Sequence, residues 1–233
     1  MYYGYGYGFD PTFLLIIIGV FLSMAASAKM KSTFSRYSRV GSASGISGAE
    51  TAYRILQSQG LYDVQVQHVA GTLTDHYDPR SKTVNLSDAV YGSTSLAAVG
   101  VAAHECGHAV QHATGYQMLS LRTAMVPVVS IGTQLSWPMI LFGVMFGGSS
   151  LVSIGILLFS LGVAFQLVTL PVEFDASSRA LKLLESNGIL GSMEVGGARN
   201  VLGAAALTYV AAAAGSLLQL LRLLMIFGGR RRD

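Results

Sequence analysis

His104-Glu105-Cys106-Gly107-His108 sets two imidazoles four residues apart inside a run of small and apolar residues, Leu96 to Ala103 before it and Ala109-Val110 after it. Ser93, Thr94 and Ser95 offer N-caps ahead of the run and Gly115 offers a stop beyond it, so the stretch reads as a helix. On a helix, residues i and i+4 share a face about one turn apart, and two imidazoles there can reach one metal ion. Zn²⁺ is the usual ion for such a pair, and the acid after the first His is placed to act as general base toward water. Glu105 is thus the expected catalytic base, with His104 and His108 as expected metal ligands. His112 repeats the spacing, but eight residues of helix put it about 12 Å from His104 along the axis, too far to share a metal. Cys106 turns about 100° from its neighbours and reads as a packing residue. Gly107 lowers helix stability, so its place points to close approach by substrate or by an adjacent helix.

The surroundings are those of a membrane protein. The chain is 52% hydrophobic and 12% charged, with a mean hydropathy of +0.51, against about 25% charge in a soluble domain. Pro11 to Ala28 has the length of a membrane span, and Met125 to Val172 holds no charged residue, enough for two spans with Gly147-Gly148-Ser149-Ser150 as the turn between them. Ala26-Ser27-Ala28 resembles a signal-peptidase site, yet no Lys or Arg precedes the first apolar stretch, and a secretory signal needs a basic leading region. The basic residues follow it instead, as Lys29, Lys31, Arg36 and Arg39. By the positive-inside rule this is an anchor with its N-terminus outside, where the Tyr/Gly repeat of the first residues would meet the interface, and with residue 29 onward in the cytoplasm. A single Cys excludes a disulfide within the chain.

The last apolar stretch, Val201 to Phe227, allows two readings. A crossing would put Arg230-Arg231-Arg232 outside, against the rule. A helix packed on the catalytic part or lying in the membrane interface keeps them inside, and it suits the less apolar stripe of Thr208, Ala212, Gly215, Gln219 and Arg222. This non-crossing reading is the preferred one.

In the segment before the His helix, Ser47-Gly48-Ala49-Glu50 matches a capping box for a helix ending near Gly60. Val64 to Val69 and Lys82 to Leu86 alternate like half-buried strands, and Asp75 to Arg80 is rich in turn formers. An edge strand beside a metal helix would let an extended peptide pair with it. His68, His76, Asp75 and Asp78 read as surface residues more readily than as ligands.

A hydrolytic zinc site with two His needs a third protein ligand and an open position. Glu173 and Asp175 are the first acids after the uncharged interval, and the residues alone do not choose between them. Tyr209, Arg179 and His112 are candidates to stabilise an oxyanion.

Leu73-Thr74-Asp75-His76-Tyr77-Asp78-Pro79, Val101 through His112 and Val172-Glu173-Phe174-Asp175-Ala176-Ser177 with Arg179-Ala180 resemble the YugP-type family of bacterial membrane zinc metallopeptidases, distantly similar to gluzincins of the HtpX and CAAX-prenyl-protease type. The resemblance covers nearly the whole chain. It implies Glu173 as the third ligand, from the E-x-x-A pattern of Glu173-Phe174-Asp175-Ala176. Relatives commonly carry Asp after that Ala; this chain has Ser177.

The expected molecule is a mainly α integral membrane protein with a gluzincin-like metalloprotease domain, a small β-hairpin or sheet, a zinc-binding helix and three to four membrane helices. Its expected parts are an anchor over 1–28, a cytoplasmic catalytic part over 29–122, a transmembrane hairpin over 123–171, and 172–233 with the third-ligand helix and an amphipathic or transmembrane helix. The expected activity is peptide hydrolysis with Zn²⁺ held by His104, His108 and Glu173, at the plasma membrane of a bacterial cell. A peptide or membrane-protein segment is the expected substrate and the lipid bilayer the expected partner. A zinc-binding scaffold without turnover is the alternative, and Glu105 argues against it. The net charge of +3 comes from residues flanking the spans, so nucleic acid is not an expected partner.

Overall fold

The computed structural model describes residues 10–228. The Tyr/Gly repeat at the N-terminus and Arg230–Arg232 lie outside the described residues. In chain order the elements are α1 (Phe13–Tyr37), α2 (Gly48–Ser58), β1 (Gln65–Val69), β2 (His76–Asp78), β3 (Thr83–Ser87), α3 (Leu96–Ala113), α4 (Gln117–Met145), α5 (Ser149–Ser186) and α6 (Ser192–Phe227). They form two compact units. Among the described residues, one comprises 10–25, 125–167 and 210–228; the other comprises Ala26–Ala124 and Val168–Tyr209.

The second unit has its core around α3. Ile55, Leu56, Val84, Leu86, Val99, Ala102, Leu184 and Leu202 pack there with little or no exposure. Most of α3 is small, so its neighbours come close: a methyl group on Gly100 would touch the Cβ of Ala198 at 3.4 Å. The Ser47 hydroxyl caps α2 by accepting from the Glu50 amide, but the Glu50 carboxylate pairs with Arg54 rather than closing the box. Two expected strands are present, and the stretch between them supplies a third. β1 pairs parallel to β3, β2 pairs antiparallel to it, and the order is β1-β3-β2. Periodicity could not show β2, which spans three residues. The Asp78 carboxylate accepts from the Arg80 amide and the Ser81 hydroxyl, and Lys82 sits at φ 53°, so turn chemistry fixes the hairpin after it.

The other unit is built from apolar helix. Its large side chains face outward: Ile131, Leu141, Leu157 and Phe146 are each more than half exposed, a surface that suits lipid and not water. Four helices, α1, α4, α5 and α6, are long and apolar enough to cross a membrane. Gly147 turns the chain between α4 and α5 at φ 71°. α5 continues without a break through Pro171 to Ser186, so Glu173 shares a helix with the second uncharged span.

α6 carries the last apolar stretch. It is one 36-residue helix, and within this unit its second half runs antiparallel along α1. Gly215 packs on Gly19, where an added methyl would approach the Gly215 Cα to 3.2 Å. The Arg222 guanidinium lies 3.6 Å from the Asp10 carboxylate and over the Phe13 ring. The stripe that suggested an interfacial helix therefore carries residues that pack on α1.

Candidate metal centre

α3 starts where the Ser95 hydroxyl accepts from the Ala98 amide at 3.2 Å, and it ends at Thr114 with Gly115 following at φ 64°. It places His104 and His108 one turn apart, with ring centroids 4.7 Å from each other. Glu173 on α5 faces both. Its buried Oε2 lies 3.3 Å from Nε2 of His104 and 3.7 Å from Nε2 of His108, and it has no hydrogen-bond partner. A buried carboxylate oxygen without a partner costs about 1–3 kcal/mol or more unless something cationic is bound there. Ligands about 2.0–2.1 Å from a tetrahedral zinc lie roughly 3.3–3.4 Å from one another, so these separations fit the ion. His104, His108 and Glu173 together form a group that could hold a metal.

The cluster lies among charged groups. Burial opposes a charge on His108, but the nearby Glu173 and Glu105 carboxylates and the Gln111 oxygen outweigh it and raise its pKa. Arg122, at the start of α4, approaches the other oxygen of Glu173 at 3.9 Å. Both imidazoles are held from behind: the Ser177 hydroxyl lies 3.2 Å from Nδ1 of His104, and the Gln111 amide oxygen 3.0 Å from Nδ1 of His108.

A cavity of about 150 Å³ opens on the cluster. Glu105, Ser177, Asp75 and Tyr209 supply polar groups to its wall, while Met30, Leu73, Val101, Leu202, Ala205 and Ala206 make the rest apolar. Leu73 sits at φ 58°, held in a loop that begins at Gly71 with φ 113°.

The other nominated residues have partners of their own. His112 Nδ1 meets the Tyr77 hydroxyl at 2.8 Å, and burial, with the Asp63 and Asp78 charges, pushes that hydroxyl's pKa up to about 12. Arg179 pairs with Asp175 at 2.6 Å and lies over the Tyr116 ring. His68 pairs with Asp88, His76 bonds the Thr74 carbonyl, and Asp75 accepts from the amide and hydroxyl of Ser87. Cys106 is buried, its sulfur 3.7 Å from the Ala52 carbonyl, and burial followed by the Glu105 charge holds its thiol far above the usual range. Gly107 is explained by α5, since a methyl there would collide with the Ala176 carbonyl. Two residues escaped the sequence reading. Gln111 stands three residues after His108 on the same face, so spacing could have found it. Arg122 is the last charge before the uncharged interval, which marks it only in retrospect.

A family model described as "putative neutral zinc metallopeptidase" matches residues 12–228. The chain belongs to that family. It is 51% identical over 213 residues to the "putative membrane protease YugP" of Bacillus subtilis (strain 168), covering 91% of this chain and 95% of the relative. No solved structure matches. The family is a zinc peptidase family, and the three-residue cluster could bind a metal ion.

Proposed function

We propose that this member of the family is a membrane-bound zinc metalloendopeptidase with His104, His108 and Glu173 as ligands and Glu105 as general base. The observation that carries the reading is the shared cavity: Glu105 lies in its wall beside His104 and Glu173. A structural zinc is closed by four protein ligands and needs no base, whereas three ligands and an open side serve catalysis.

Zinc held there would polarise the scissile carbonyl and lower the pKa of the attacking water. Glu105 takes the proton of that water and passes it to the departing amine. Among the three oxyanion candidates, Tyr209 alone lines the cavity, so its hydroxyl is assigned to donate to the developing oxyanion. The apolar wall receives a small apolar side chain next to the cut bond. Leu73 and Asp75 lead from that wall directly into β2, an edge of the sheet. An extended peptide paired with β2 is thereby directed to Glu105.

For topology, the antiparallel pairing of α6 with α1 supports four crossings. Lys29, Lys31, Arg36, Arg39, Arg122, Arg179, Lys182 and Arg199 then flank the spans on one side, against Arg230–Arg232 on the other. The asymmetry supports a cytoplasmic position for the proposed metal ligands.

The test compares purified native protein with Glu105→Gln. The variant should keep about one zinc per chain and lose about 10²–10⁴-fold in peptide hydrolysis. Turnover surviving in Glu105→Gln would end the general-base assignment, and a native protein that binds zinc without cleaving any membrane-protein segment would favour the scaffold alternative.

A further inference from the structure

Gln111 is fully buried on α3, and nothing in the proposed mechanism uses it. We infer that Gln111 is a positioning residue that fixes the tautomer of His108 and ties the helix bearing the two imidazoles to the helix bearing Glu173. The inference rests on the reading of His108 and Glu173 as ligands.

The amide of Gln111 can be oriented from its partners. Its Nε2 carries two hydrogens, and two acceptors face it: the Val172 carbonyl at 2.8 Å and the Asp175 Oδ2 at 2.8 Å. The same Asp175 oxygen is held by the Arg179 guanidinium at 2.6 Å. A flipped amide would set its oxygen against a carbonyl and a carboxylate and lose both bonds, a heavy cost for a buried group. The oxygen therefore turns to His108, 3.0 Å from Nδ1. A carboxamide oxygen can only accept, so Nδ1 carries the hydrogen. The lone pair is left on Nε2, the atom that faces Glu173. Ser177 does not impose this on His104, because a hydroxyl donates or accepts by rotation.

The second function follows from position. Val172 and Asp175 flank Glu173 in sequence. One side chain thus bonds the ligand on α3 and both sides of the ligand on α5. Arg179, stacked on Tyr116, steadies the Asp175 end.

The experiment titrates zinc into metal-free protein in detergent against a chelating dye. Gln111→Leu should bind zinc about 10–100-fold more weakly than native protein, the usual loss when a partner behind a metal-bound His is removed. Cys106→Ala, which removes a buried side chain facing Ala52 on the same helix, should bind within twofold of native. His108→Ala should not bind. If His108→Ala retains native affinity, the ligand set itself is wrong. If His108→Ala fails to bind while Gln111→Leu binds within twofold of native, the ligand set stands and the role of Gln111 is overturned. A nitrogen NMR spectrum of zinc-loaded native protein labelled in histidine gives a second reading that needs no variant. His108 should show a hydrogen on Nδ1 and metal on Nε2; metal on Nδ1 would refute the inference.

Discussion

A methyl group built on Gly107 would stand 2.5 Å from the carbonyl oxygen of Ala176. The helix that carries His104 and His108 therefore touches the helix that carries Glu173 backbone to backbone. This contact lets side chains of ordinary length converge within 3.7 Å. In an open helix, replacing Gly by Ala gains about 1 kcal/mol. Here Gly107→Ala should reverse the sign and cost about 1–3 kcal/mol, because a backbone must move to admit the methyl. Thermal unfolding of the metal-free protein reads the stability, and zinc titration reads the separation of the ligands, which should weaken binding. A more stable variant with native zinc affinity would show that the contact does not set the site.

Glu173 and Asp175 lie two residues apart; the residues alone did not choose between them, and the family resemblance implied Glu173. The structure gives them different neighbours: Glu173 faces both imidazoles, while Asp175 faces Gln111 and Arg179. Glu173→Ala should abolish zinc binding by metal analysis after dialysis. Asp175→Ala should retain zinc with weakened affinity, since it disturbs a partner of His108 and not a ligand. The opposite pattern would exchange their roles.

The pentapeptide from His104 to His108 made the metal helix legible because its chemistry is local: caps, spacing and ligand types all sit within one element. The uncharged interval likewise announced the spans α4 and α5. Three things were hidden because they depend on which surfaces meet. β2 is too short for periodicity and exists through its pairing with β3. The stripe from Thr208 to Arg222 was visible as polarity, but only the folded chain shows Gly215 and Arg222 on α1. Gln111 looked like one more polar residue near a helix end until Val172, 61 residues away, supplied its acceptor.

The proposed topology makes a labelling prediction. Cys106 is buried and its thiol is held in the unreactive form, so single cysteines can be introduced while it stays in place. An impermeant maleimide applied to intact cells should label Gly148→Cys and Gly228→Cys and should miss Ser81→Cys until the cells are opened. Protection at Gly228→Cys would return α6 to the interface, contrary to its pairing with α1. Labelling at Ser81→Cys in intact cells would place the metal-binding residues outside.

The loop that carries Leu73 should loosen in acid. The Asp88 carboxylate accepts from the Gly71 amide at 2.8 Å and pairs with His68 at 2.7 Å. These partners, the Gly71 bond foremost, hold its pKa below the ordinary value. A carboxyl depressed by folding stabilises above its unfolded pKa, near 4, and that contribution fades as pH falls through the lower folded value. Hydrogen exchange at Gly71, corrected for intrinsic rate, should therefore lose protection below about pH 4. Asp88→Ala should show low protection at every pH with no further acid response. Native protection of Gly71 in that variant would rule the carboxylate out as the restraint.

The edge of β2 and the apolar wall together predict how a peptide is chosen. Extended substrate adds to a free strand edge through its own amide N–H groups, and proline removes one such donor. A proline scan through a cleaved sequence should suppress turnover at alternate positions on one side of the cut, following the period of a paired strand. Next to the cut, Met30, Leu73, Leu202, Ala205 and Ala206 leave room for a modest apolar side chain in about 150 Å³ shared with the catalytic groups. Ala or Val there should be cleaved faster than Phe or a charged residue. Ala206→Leu should shift the ranking toward Gly and Ala, lowering kcat/KM for Val about 10-fold or more, the scale of one or two misplaced methylenes. The zinc content of Ala206→Leu should stay native, since an alanine side chain offers no metal-binding atom. A uniform fall in rate for all peptides would mean that Ala206 supports the site generally and does not select the side chain. Proline tolerated on both sides of the cut would remove β2 from substrate binding.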